Sequence, residues 1–387
     1  MMKPLSTTNY FPNLDGLRFF AFFVVFINHA SICLGYYSPN KNFVFIRDNF
    51  LKNGDIGVSF FFVLSGFLIT YLLLKEKETL GKINIKHFYI RRVLRIFPLY
   101  YFVVVLGLYV IPMLNNHLPI NFPMNTSITH LNPYYYLTFT GNFDYLKNGI
   151  SNVFLGVLWS VSVEEQFYLF WCPLIAFLPR KYLMPTFIFI IIGSIGFRYF
   201  YSDGKAMILK FHSLSVVTYL AMGAVIAHLS TKEKIISKIK TIPKYLIVII
   251  YIIGIVSIPF RLYTWKLGVH YILVASFIPV FFAAFFAFII MEQNFAAHSF
   301  YKISGFKFIS SMGKYTYGMY CYHMMVFFGI LFGLHLLGVN LYGMSKFAFV
   351  SLAITSFFAT CLVSVLSYHY FEMLFLKLKG RFSSFEG

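Results

Sequence analysis

Acid is what this sequence is short of. Of 387 residues only 13 are Asp or Glu, against 32 Lys or Arg, and charged residues together make up 12% of the chain. A soluble globular domain carries about 25% charged residues, so a normally polar, water-facing surface is excluded. Cysteine is also scarce. Cys33, Cys172, Cys321 and Cys361 each lie in an apolar run with no pair at metal-ligand spacing, so they read as small buried hydrophobes and no metal centre is expected. The first apolar run has no small-residue cleavage site behind it, which marks it as a retained span rather than a signal peptide. Neither a repeat nor a low-complexity linker divides the chain. One domain over residues 1–387 is expected, with no appended soluble domain.

Apolar residues take the place of the missing charge. They make up 59% of the chain, with 50 Phe, and mean hydropathy is +0.73. A helix needs about 20 predominantly apolar residues to cross a bilayer. About ten runs meet that requirement, near 17–36, 56–74, 93–113, 153–178, 183–201, 211–229, 244–263, 269–291, 315–337 and 347–374. The fold class expected is therefore all-α, a polytopic membrane protein. The longest polar connection, about 114–152, is expected to pack over one membrane face. The net charge of +19 would suggest nucleic acid on a soluble protein. Here no basic, aromatic-interleaved soluble module exists, and the cations cluster in short loops, where they meet lipid headgroups and set orientation. With both termini in the cytoplasm, Lys75 to Arg95, Lys232 to Lys244 and Lys302 to Lys314 fall on one side. That side holds about twice as many cations as the other.

Against this background the polar residues inside spans stand out. Glu164 and Glu165 lie in mid-run, in Trp159-Ser160-Val161-Ser162-Val163-Glu164-Glu165-Gln166. A carboxylate at helix centre costs about 2.5–3.5 kcal/mol, so it faces a partner or a wet cavity. A structural hydrogen bond between helices would also account for it, but two adjacent acids flanked by Ser and Gln favour function. In the first span, His29 is the lone titratable group of its apolar run. It lies eleven residues beyond Arg18, which returns it to the same helix face about 16 Å away, with Asp15 within about 40° of that face. A neutral imidazole suits proton abstraction near pH 7. Alone it would read as a packing residue; beside these acids and arginines it reads as a base.

At the start of the third span, Arg91, Arg92 and Arg95 are spaced so that two or three guanidinium groups converge. Such forks suit phosphate, although ordinary anchoring at the membrane face uses the same residues. Gly66 and Ser65 in the second span read as packing residues. Thr316, Tyr320 and His323 share one face of the ninth, and Glu372, near the end of the last span, is placed to pair with a third-span arginine or with lipid-facing cations.

Taken in order, these strings resemble acyltransferase family 3: Asp15-Gly16-Leu17-Arg18 followed by His29, the second-span run Gly57 to Leu68, the Arg92/Arg95 pair, Trp159-Ser160 with Glu164, and the late Tyr320-x-x-His323. The resemblance covers nearly the whole chain. It implies a membrane O-acyltransferase of the bacterial cytoplasmic (inner) membrane. Such an enzyme moves an acyl group, most commonly acetyl, from cytoplasmic acetyl-CoA to a hydroxyl of a cell-surface or lipid-linked glycan. It also implies catalytic roles for His29 and Glu164. Asp15, Arg18, Arg92, Arg95, Trp159, Ser160, Tyr320 and His323 would bind donor or acceptor. Acyl-CoA enters as a substrate, with no permanently bound cofactor. The rival reading is a secondary transporter or flippase that uses the intramembrane His and Glu as a proton relay.

Overall fold

A computed structural model describes residues 11–35, 41–110, 113, 132–149, 152–202, 205–263, 270–341 and 344–382. Ten long helices organise it: α1 (Pro12–Gly35), α2 (Gly54–Leu80), α3 (Ile85–Val105), α4 (Trp159–Phe177), α5 (Arg180–Phe200), α6 (Ser213–Ser230), α7 (Lys244–Tyr263), α8 (His270–Phe295), α9 (Thr316–Leu336) and α10 (Lys346–Ser367). Each apolar run read from the sequence falls on one of them. Nine spans among the described residues are long and apolar enough to cross a bilayer. A tenth is counted if α7 is joined to the helix Glu233–Lys240, which meets it at a 92° bend. The helical state follows from the solvent, because hydrocarbon offers backbone amides no partner outside their own helix.

The central helix is α2. In its most apolar stretch 78% of residues are buried inside the protein, against 22% for α5, whose remaining surface is left to lipid. Glycine explains how α2 packs so closely on α6. A Cβ on Gly66 would collide with the Leu220 carbonyl oxygen, and one on Gly223 with that of Val63. Gly66 thus has the packing role its sequence context suggested, since small residues let membrane helices approach to backbone contact.

Polar clasps then fix the helices that carry the site. Lys77, near the end of α2, donates to the Ile175, Ala176 and Leu178 carbonyls at 2.8, 2.9 and 3.0 Å, which closes the C-terminus of α4. Higher up the same pair, Trp171 Nε1 donates to Thr70 Oγ1 at 2.8 Å. The α2–α3 turn passes through Gly81 at φ 72° and starts α3 with the Asn84 side chain accepting from the His87 N–H. Buried Glu76 accepts from Arg91 at 3.1 Å and from the Asn84 N–H at 2.9 Å. In α9, Tyr317 donates to the Ile96 carbonyl of α3 at 3.0 Å.

Two details depart from the reading of the sequence. The fourth span, Val153–Phe177, carries a two-residue turn: a short helix Val153–Gly156, started by Asn152, precedes α4, so Trp159 and Ser160 lie in the first turn of α4. The long polar connection lies mostly outside the described residues. Its described part folds into Pro133–Leu137 and Gly141–Asn148, pinned where Gln166 donates to the Phe139 carbonyl and to Asn142 Oδ1.

Candidate active site

Two adjoining cavities lie between α1, α2, α3, α4 and α9. The first, about 210 Å³, is bordered by Arg18, Arg92, Arg95, Lys379, Ser65, Glu164 and Tyr168, and its wall extends to Ser160 and Tyr320. The second, about 290 Å³, is bordered by Asp15, Arg18, Arg95, Lys314, Tyr317 and Glu372. Arg18 and Arg95 belong to both walls, so the two guanidinium groups stand at the boundary between the chambers. Each cation reaches this place by its helix. Arg18 lies in the second turn of α1, tied to Asp15 at 2.9 Å. Arg92 and Arg95 are one turn apart on α3.

Their neighbour Arg91 does not join them. It is taken by Glu76 and by the Phe382 carbonyl, to which it donates at 2.7 Å, so of the three arginines at the start of α3 two face the cavity and one stitches helices together. Arg92 stacks over the Phe88 and Tyr168 rings at 5.6 and 5.7 Å, and its Nε is buried without a hydrogen-bond partner. Arg95 makes no hydrogen bond or ion pair among the described residues. Glu372 stands across the second cavity from it, accepting a long 3.5 Å hydrogen bond from Ser367. Buried polar groups nearly always find partners, so two under-satisfied guanidinium groups beside open volume describe a place for an anion.

Glu164 faces this volume from α4. Tyr168, one turn on, donates to Glu164 Oε2 at 3.4 Å and is hydrogen-bonded to the Ser65 hydroxyl of α2. Ser65 is therefore a cavity-wall hydroxyl as well as a packing residue, and Tyr168 is a site residue that the sequence reading passed over. Its i,i+4 spacing from Glu164 was the available signal. Lys379 joins the same wall. Glu165 turns away, its Oε1 buried and without a partner, and lines neither cavity. Nor does Trp159 line them: its ring packs edge-on against Phe62 and Phe211.

Farther along, Ser160 Oγ and Tyr320 Oη are hydrogen-bonded at 2.7 Å, joining α4 to α9. One turn beyond Tyr320, His323 meets His29 of α1, with Nδ1 of His29 2.8 Å from Nε2 of His323. The rings are nearly parallel, 18° apart with centroids at 5.0 Å. His323 is 1% exposed, enclosed by Phe22 and Phe26, and its Nδ1 is 2.7 Å from the Tyr320 carbonyl oxygen. Neither imidazole lines the two cavities. They sit past the Tyr320 end of the first, while Thr316, on the same face of α9, lines its wall.

Ionisable groups from separate helices thus border two adjoining cavities inside an apolar bundle. The family model for an acyltransferase domain matches residues 11–369, and the chain belongs to acyltransferase family 3. Relatives include the O-acetyltransferase OatA of Staphylococcus aureus (strain NCTC 8325 / PS 47), 31% identical over 194 residues, which are 48% of this chain and 29% of that protein. A putative O-acetyltransferase, SACOL0978, of Staphylococcus aureus (strain COL) is 30% identical over 248 residues, 62% of this chain and 38% of the relative. The chain thus spans about a third of the length of the relatives it matches. No solved structure gives a significant match. The family is one of membrane acyltransferases, and the transporter reading is set aside.

Proposed function

We propose that this membrane domain transfers an acetyl group from acetyl-CoA, taken from the cytoplasmic face, to a hydroxyl of a cell-surface or lipid-linked glycan in a bacterial cytoplasmic membrane. The observation that carries the reading is the pair Arg92 and Arg95, directed at a cavity, with neither in an ion pair among the described residues and Arg92 Nε buried without a hydrogen-bond partner. Arg18 and Lys379 add two more cations to the same wall. A CoA nucleotide brings several phosphate charges and cannot dissolve in hydrocarbon. Planar guanidinium groups in a partly desolvated site are the side chains best suited to hold it.

Length supports the same assignment. The pantetheine arm between the pyrophosphate and the sulfur has about 13 bonds, or ~16 Å when extended at about 1.2 Å per bond, the advance per bond of an extended chain. Along α1, Arg18 and His29 are about 16 Å apart. Phosphates held at the arginines therefore leave the thioester near Tyr320, Ser160 and the imidazole pair. His29 takes the proton of the attacking hydroxyl. Glu164, with Tyr168 and Ser65, forms the polar wall past which the arm runs. Asp15 holds the Arg18 guanidinium in place, and Trp159 supports the start of α4 from behind.

The test is direct. Purified full-length protein in lipid nanodiscs should bind acetyl-CoA, and gene deletion should remove units of about 42 Da, one acetyl substitution, from surface glycan. Absence of acetyl-CoA binding by the folded protein would overturn the reading.

A further inference from the structure

The two imidazoles carry a proton inventory that the function above leaves unused. A carbonyl oxygen only accepts, so the 2.7 Å contact between His323 Nδ1 and the Tyr320 carbonyl puts the ring proton of His323 on Nδ1. In a neutral ring Nε2 then has only a lone pair. That lone pair is 2.8 Å from His29 Nδ1, which must be the donor. The same logic continues to His29: with its proton on Nδ1, its Nε2 is the bare nitrogen. Nε2 of His29 makes no hydrogen bond among the described residues. Nor is it one of the side-chain atoms sealed in the interior without a partner, and His29 itself is only partly buried. No carboxylate is hydrogen-bonded to either ring among the described residues, so nothing nearby stabilises a permanently charged His323.

We propose that His323 is a positioning residue that fixes His29 as the Nδ1–H tautomer, so that the open Nε2 lone pair is the base. The chain runs Tyr320 carbonyl, His323, His29, with every proton directed by the backbone of α9. It rests on the reading of His29 as the group that deprotonates the acceptor. In the step, the acceptor oxygen bonds to the thioester carbonyl carbon while its proton passes to His29 Nε2. The C–S bond then breaks, and the same proton moves to the departing sulfur, leaving an ester, a free CoA thiol and a neutral His29. Between the two transfers His29 is an imidazolium, and its Nδ1–H bond to His323 becomes charge-assisted and stronger. A second imidazole thus does the orienting work of the carboxylate in a Ser-His-Asp triad, without placing an anion among Phe22, Phe26 and Phe357.

The experiment uses the full chain in nanodiscs with acetyl-CoA and a glycan acceptor, comparing His29→Ala, His323→Ala and His323→Gln. His323→Ala should lower kcat about 100-fold, with the KM for acetyl-CoA and acetyl-CoA binding unchanged, because the residue lies beyond the donor cavity. His323→Gln, whose side-chain oxygen accepts from His29 Nδ1, should recover a tenfold or larger part of the loss. If His29→Ala is inactive while His323→Ala works within about threefold of the parent, or if Gln is no better than Ala, the positioning role is overturned and the base survives. If His29→Ala itself retains near-normal turnover, the base reading falls first.

Discussion

Glu164 and Glu292 are both acids of membrane-spanning helices, and their surroundings have little in common. Glu292, near the end of α8, is 1% exposed. Its Oε2 accepts from Tyr251 at 3.0 Å and from Gln293 at 2.8 Å, and Lys302 donates to the Glu292 and Gln293 carbonyls close by. One oxygen, Oε1, has no partner, but neither cavity adjoins it. Glu164 accepts a long bond from Tyr168, has the Ser65 hydroxyl beside it, and stands on the wall of a 210 Å³ cavity that also holds three arginines. The difference teaches that burial of an acid does not define a site, nor does a missing hydrogen bond. What distinguishes Glu164 is unmet polarity beside space that a substrate can fill.

The largest effect that would break this comparison is on turnover. Glu164→Ala should lower acetyl transfer by about 100-fold or more at unchanged or higher melting temperature, since it removes a costly buried charge. Glu292→Ala should leave kcat per folded molecule intact and lower stability by about 1–3 kcal/mol, because Tyr251 and Gln293 lose their acceptor. Equal activity losses in the two variants would erase the distinction.

A smaller contrast is available between neighbours on α3. Arg95→Leu should raise the KM for acetyl-CoA about 10- to 100-fold, the worth of one charge-assisted contact. Arg91→Leu should leave that KM alone and lower stability by about 3 kcal/mol through the abandoned Glu76 carboxylate. Steady-state kinetics with thermal unfolding in detergent separates them.

The smallest effect lies outside the membrane. Asp48 is held below the ordinary carboxylate range by the hydrogen bond from Arg47, with Lys52 adding to it. Its folded value is depressed, so its contribution is present above the unfolded pKa and lost as pH falls through the folded one. Being exposed, it contributes no more than about 0.5 kcal/mol. Asp48→Asn should change the melting temperature slightly at pH 7 and not at all near pH 2.

The helices were legible because bilayer thickness demands long apolar runs, and Arg18, Arg92, Arg95 and Glu164 were legible because charge within such runs is costly. Partnerships across the bundle were not. The His29–His323 bond joins residues 294 apart and Ser160–Tyr320 residues 160 apart. Spacing along α9 shows that Tyr320 and His323 share a face, but not what meets it. Arg91 has the same helical credentials as Arg92, and its partners elsewhere in the fold, Glu76 on α2 and the Phe382 carbonyl, determine that it serves the scaffold. The turn before Trp159 was hidden for a related reason: Val157 and Leu158 are as apolar as their neighbours, and no side chain caps the start of α4.

The seam between α2 and α6 has a further consequence. With Gly66 and Gly223 each facing a carbonyl oxygen of the opposite helix, a side chain at either position would force α2 and α6 apart. A carrier that rocks two halves about a central load needs a yielding joint, and this seam is packed to backbone contact. On the reading proposed above, thioester and alcohol would then meet at a stationary partition, with only two carbons and an oxygen passing between them.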